Sequence, residues 1–190
     1  MEKLNKSTAQ RLLEQTTTAP HLLQHALSVS VAMGAMAEFY GEDIEYWQAV
    51  GLLHDYDYEQ FPDEHLSHTK EPLEAAGVDD DSIRAILSHG WELCSEVEPV
   101  SLLEKSLFAV DEMTGLISAT AKMRPTGIAD LEAKSVKKKF KDKSFAAKID
   151  REVIIKGAEM LGIELGQLIE LCITGMRPYA AELSLLGSDA

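Results

Sequence analysis

Apolar residues recur at intervals of three and four along most of the chain, and no run of strict alternation competes with that spacing. The pattern therefore predicts helices. Pro20 opens a long helix that runs to about Tyr40, where Gly41 stops it. Asp43 caps a second helix through Trp47, Val50 and Leu53 to His54. A turn-rich stretch over 56–63, with Pro62, leads to a short helix ending at Ala76-Gly77. Asp79-Asp80-Asp81 opens a helix from Ser82 to His89, halted by Gly90. Pro99 begins a long helix ending before Arg124-Pro125, and further helices are expected near 130–141, 145–161 and 164–183. The expected fold class is an all-α helical bundle, built as one domain over 1–190.

Some polar residues break this pattern by facing inward. His25 shares a stripe with Val29, Ala32 and Met36. His54 follows Trp47 and Val50 on the second helix, and Asp111 sits among Leu107, Phe108 and Gly115. A single inward histidine is ordinarily a hydrogen-bonded core residue. A buried carboxylate without partners, however, costs several kcal/mol, so something must neutralise Asp111. A divalent cation does this while also satisfying neutral imidazoles and the adjacent Asp55. Met33, Met36, Trp47 and Phe39 fall at helical spacing and read as core packing.

Composition narrows the setting. With 45% apolar and 26% charged residues, the chain reads as a soluble globular protein. A net charge of −14 disfavours nucleic-acid polymers and anionic membranes as partners. Cys94 and Cys172 have no metal-ligand spacing and are too few for a disulfide framework. The start, Met1-Glu2-Lys3-Leu4-Asn5-Lys6, lacks the apolar core of a signal peptide. The longest weakly polar run, Ala26 to Ala37, falls short of the ~20 residues that span a bilayer. A cytoplasmic location is expected. The charge is uneven: residues 122–151 hold ten basic and four acidic residues, a net of +6, so the rest carries −20. Lys137-Lys138-Lys139-Phe140-Lys141 is either a solvated helix face or a positive lip for an anionic substrate, and the sequence leaves both open.

The order His25, His54-Asp55, His68, His89, Asp111 resembles the HD superfamily of metal-dependent phosphohydrolases. The contexts are His25-Ala26-Leu27-Ser28-Val29, Leu52-Leu53-His54-Asp55, Ile86-Leu87-Ser88-His89 and Ala109-Val110-Asp111-Glu112-Met113-Thr114-Gly115-Leu116. They place the metal-site core at about 20–120 and leave a basic helical extension over 122–190. The segment Lys134 to Ala146 further resembles a subgroup of small, largely uncharacterised bacterial and archaeal HD hydrolases.

The resemblance implies that His25, His54, Asp55 and Asp111 ligate one divalent metal. It also implies that His68 and His89 hold a second, with Asp55 bridging. His65 competes with His68, because Pro72 disrupts the helical phase, and His68 is preferred. His21, one turn before His25, is a candidate substrate contact or an ordinary exposed histidine. The implied activity is hydrolysis of a small anionic phosphorylated metabolite or nucleotide through a metal-activated hydroxide. Asp55 and His54 would be catalytic, Arg124 would steady the phosphoryl charge, and Lys137, Lys138 or Lys141 could assist. Iron, manganese, cobalt, nickel, zinc and magnesium are all admissible, as one ion or two, and self-association is left open.

Tyr58 stands where members that cleave cyclic dinucleotides commonly carry lysine, and there is no GYP signature, so cyclic di-GMP hydrolysis is disfavoured. Two other readings share the ligand set: an HD-type oxygenase with a mixed-valence di-iron pair, and a non-catalytic ligand-sensing module. The basic 122–151 segment favours hydrolysis over oxygenation.

Overall fold

A computed structural model describes residues 3–188; the first two residues of the N-terminal segment considered above, Met1 and Glu2, lie outside the described residues. Helix α1 spans Lys6–Thr16, α2 Pro20–Tyr40, α3 Ile44–Leu53, α4 Lys70–Ala75 and α5 Asp80–Ser88. Helix α6 spans Leu102–Lys122, α7 Ala133–Lys141, α8 Arg151–Leu161 and α9 Leu165–Met176, with short 3-10 turns at Pro62–Glu64 and Arg177–Tyr179. No strand occurs among the described residues, only isolated bridges. The fold is all-α, as the apolar spacing predicts. No helix among the described residues is long and apolar enough to cross a membrane.

The two 21-residue helices α2 and α6 form the centre. Helix α2 is buried without interruption over 28–34, because α3, α6 and α9 pack around it. That explains why its sequence is apolar nearly all round rather than along one stripe. Helix α6 buries Leu107, Phe108, Met113, Leu116 and Ile117 against α2, α8 and α9. Two glycines permit close approaches between these helices. A Cβ on Gly175 of α9 would collide with the Val31 carbonyl oxygen of α2. One on Gly157 of α8 would stand 2.6 Å from Ala109 Cβ on α6. Helix α8 is thereby pressed onto the stretch of α6 that carries Asp111.

The helix boundaries follow local chemistry. Pro20 occupies the first turn of α2, and Gly41 ends it in the left-handed region at φ 71°. Asp43 accepts the Tyr46 N–H to cap α3. Ser101 and Glu104 close a reciprocal capping box on α6, so that helix starts at Leu102 rather than at Pro99. Asp150 caps α8, which begins at Arg151 instead of 145, and Pro178 follows the end of α9 at Met176 instead of 183. Helix α1 is an element the sequence reading did not predict. Its signals are present in Asn5, which accepts the Thr8 N–H, and in the buried Ala9, Leu12 and Leu13.

Asp79 ties two ends of the bundle together. Its carboxylate accepts the Ser82 N–H (3.0 Å) at the start of α5 and the Leu4 N–H (2.9 Å) ahead of α1. Burial pushes its pKa up, but the Ser82 and Leu4 bonds outweigh that and hold it below the ordinary carboxylate value. The stabilisation is therefore complete above the unfolded-state value of about 3.9 and is lost as pH falls through the lower folded value. Replacing Asp79 with Ala is expected to cost about 1–2 kcal/mol at pH 6 by chemical denaturation. The deficit should shrink below about pH 3.9, where the wild type loses the same contribution.

Candidate metal centre

Two helices end in the same way. Just past α3, His54 donates Nδ1–H to the Gly51 carbonyl (2.8 Å); just past α5, His89 donates Nδ1–H to the Ile86 carbonyl (2.6 Å). Each imidazole bonds a carbonyl in the last turn of its helix. A carbonyl can only accept, so the neutral ring carries its proton on Nδ1 and turns a bare Nε2 lone pair away from the helix. The negative ends of both helix dipoles point the same way and favour positive charge there.

The chain leaving α3 supplies Asp55 and Asp57. Asp57 is buried and accepts three hydrogen bonds, from His65 Nδ1–H (2.8 Å), Leu66 N–H (3.1 Å) and His68 N–H (3.0 Å). It thus orients His65 as the carbonyls orient His54 and His89. Burial pushes Asp57 up, but the His65 and backbone bonds prevail and its pKa lies below the usual range. Helix α2 brings in His25 and α6 brings in Asp111, whose carboxylate lies 2.9 Å from His25 Nε2 and 3.6 Å from His54 Nε2.

Asp55 stands in the middle. Its Oδ2 faces His54 Nε2 (3.3 Å) and His25 Nε2 (3.6 Å). Its Oδ1 faces His65 Nε2 (3.3 Å) and His89 Nε2 (3.5 Å). Within each group the imidazoles also meet tip to tip, His25 to His54 at 3.3 Å and His65 to His89 at 3.2 Å. Three ligand-capable groups result: His25-His54-Asp55, His54-His89-Asp111 and Asp55-His65-His89.

The charge distribution favours a cation. Burial works against a proton on His54, yet Asp55 and Asp111 more than offset it and raise its pKa well above the ordinary value. His65 behaves likewise: burial lowers it, Asp55 and Asp57 prevail, and it is pushed up to about 9. Burial alone would raise Asp55 and Asp111, but the surrounding imidazoles hold both well below the carboxylate range.

The residues present fit a divalent metal. In their neutral forms His65 and His89 direct two lone pairs at one another and at a carboxylate, a cluster of acceptors with no donor. Two ligands about 2.1 Å from a first-row ion stand about 3.0 Å apart at right angles and about 3.4 Å apart at the tetrahedral angle. The donor separations of 2.9–3.6 Å match that spacing. Imidazole with carboxylate suits zinc, iron, manganese, cobalt or nickel.

A cavity of about 380 Å³ opens over this cluster. His21 and Leu22 of α2, Tyr58, Leu93, and Ile149 and Val153 near the start of α8 form its walls. Glu112 also faces it; burial and the neighbouring Asp111 push that carboxyl up to about 7, against the Asp150 N–H that it accepts (3.2 Å).

The structure therefore brings together His25, His54, Asp55, His89 and Asp111, corrects the expectations for His68 and Arg124, and decides a question about the α7 lysines that the sequence leaves open. His68 is not in the cluster: it is half-exposed, its Nε2 bonds Glu64 (2.6 Å) and its ring stacks on Phe61. His65 occupies the place beside Asp55, because Leu66 adopts φ 69° and turns the chain between the two histidines. Arg124 does not line the cavity; it pairs with Asp130 at 2.8 Å. The lysines of α7 do not line it either, since only Val136 of that helix is buried and Lys137, Lys138 and Lys141 face solvent. The positive lip is a solvated helix face, and its argument for hydrolysis falls. Asp57 is a site residue that the sequence reading did not single out.

Manganese titration of the metal-free protein by calorimetry tests the exchange of histidines. His65→Ala is expected to weaken binding at least 10-fold, and His68→Ala to change it less than twofold. Protons and cations compete for the same Nε2 atoms, so wild-type affinity should rise with pH up to about 9, the value to which His65 is pushed.

Neither the curated proteins nor the solved structures contain a match to this chain. Its sequence does match the HD domain over residues 22–156, more than half its length, a span that includes every residue of the cluster. The helical scaffold and the order of imidazoles and carboxylates along it agree with that match, and the chain belongs to the HD domain family.

Proposed function

We propose that the protein is a metal-dependent phosphohydrolase acting on a small phosphorylated metabolite or nucleotide. The HD domain family is usually of this kind. The observation that carries the reading is the division of Asp55, with His25 and His54 on one oxygen and His65 and His89 on the other. This arrangement suits two cations sharing one carboxylate. When bound, such ions supply Lewis acidity toward phosphoryl oxygens and acidify water near neutral pH.

The chain's own residues prepare the site for this chemistry. Asp57, Gly51 and Ile86 hold three imidazoles with Nε2 directed inward, so these rings are oriented in advance of binding. Asp55 and Asp111 keep those imidazoles in an environment selective for positive charge. Leu22, Ile149 and Val153 limit water above the cluster, which strengthens electrostatic interactions within it.

Protein loaded with manganese or cobalt should release phosphate from at least one member of a broad phosphoester panel. Asp55→Asn should lower kcat by roughly 100-fold or more, equivalent to about 3 kcal/mol of barrier. Absence of turnover across the panel by metal-replete protein would refute the reading. Iron with dioxygen consumption would point to the oxygenase instead, and ligand binding without conversion to a sensing module.

A further inference from the structure

Resting on the phosphohydrolase reading, we infer a substrate class from the cavity: a single phosphoryl group carried on an uncharged, apolar organic portion.

The charges around the cavity are one-sided. Among the described residues that line it, imidazoles aside, the charged side chains are Asp55, Asp111 and Glu112, all carboxylates. No lysine or arginine is among them. Two cations of α8 are engaged elsewhere. Arg151, at the start of α8, donates to the carbonyls of Phe140 (2.8 Å), Asp142 (3.0 Å) and Ile149 (3.1 Å). Lys156 bonds Glu92 (2.7 Å) while lying over the Trp91 ring at 3.8 Å. The first phosphoryl group would have cations held by the cluster as its counter-charge. A second anionic group, whether another phosphate or a carboxylate, would find no lysine or arginine there, only the apolar wall, Glu112, the Tyr58 hydroxyl and the exposed His21 imidazole. An unpaired charge in such surroundings is strongly disfavoured.

The walls favour an apolar occupant. Leu22, Ile149 and Val153 come from two different parts of the chain, and α8 is locked onto α6 by the Gly157–Ala109 approach. Ile149 itself leans over Gly115, where a Cβ would stand 2.8 Å from its Cδ1, so the apolar wall follows the contour of α6. Leu93, 59% exposed, completes the rim. A volume of about 380 Å³ sits at the small end of ligand pockets, which run from about 300 to 1,000 Å³. That suits a ring or short chain bearing one phosphate and is small for a dinucleotide.

Binding separates this inference from the reading it rests on. Manganese-loaded protein is titrated calorimetrically with inorganic phosphate, phenylphosphonate and 4-carboxyphenylphosphonate. Phenylphosphonate should bind at least 10-fold more tightly than phosphate and at least 10-fold more tightly than its carboxylated analogue. Leu93→Lys, at an exposed rim position, should tighten the carboxylated compound at least fivefold. The inference is overturned if wild type holds the carboxylated compound as tightly as phenylphosphonate, if phosphate binds as well as phenylphosphonate, or if Leu93→Lys brings no gain. Tight phenylphosphonate binding with no hydrolysis of phenyl phosphate would refute phosphohydrolysis while upholding the cavity's chemistry. Equal turnover of phenyl phosphate and 4-carboxyphenyl phosphate would do the reverse.

Discussion

The structure depends on where three imidazoles place their protons. His54, His65 and His89 each give Nδ1–H to a fixed acceptor, two of them backbone carbonyls and one the buried Asp57. Their Nε2 lone pairs are then obliged to face inward, toward each other and toward Asp55. A neutral, metal-free version of this arrangement has acceptors against acceptors. Protons or cations must enter to balance it, and the low pKa of both Asp55 and Asp111 expresses the same demand from the carboxylate side.

The helical bundle makes that arrangement rigid. Histidines just past the ends of α3 and α5 bond carbonyls of the last turn, so the feature that finishes each helix also aims its ligand. Asp111 sits within α6, and His25 lies on α2, the two central helices of the fold. Close approach at Gly157 holds α8 on α6, so the apolar wall of the cavity and the ligand-bearing helix move as one. Stability and site geometry share the same contacts.

What the sequence disclosed follows from where each residue sits. His25, His54 and Asp111 lie on or at the end of helices, where the 3.6-residue period reveals the inward face. His65 and His68 lie in a loop with a left-handed residue between them, and no period reports direction there. The preference for His68 fell to the backbone conformation at Leu66. Net charge along 122–151 was readable, but its direction was not: α7 buries only Val136 and turns its lysines outward, while Arg151 binds carbonyls of its own loop. Asp57 was overlooked because a carboxylate serving a histidine has no spacing of its own; its partner becomes visible only in three dimensions.

The most direct test of a shared cation centre is anomalous X-ray scattering from crystals grown with manganese and measured around its absorption edge. Two peaks about 3.5–4 Å apart, one on each side of the Asp55 carboxylate, are predicted. The peak on the Oδ1 side should lie against His65 and His89, and the other against His25, His54 and Asp111. Manganese density only at sites beyond coordinating reach of Asp55, about 2.5 Å, would contradict the account.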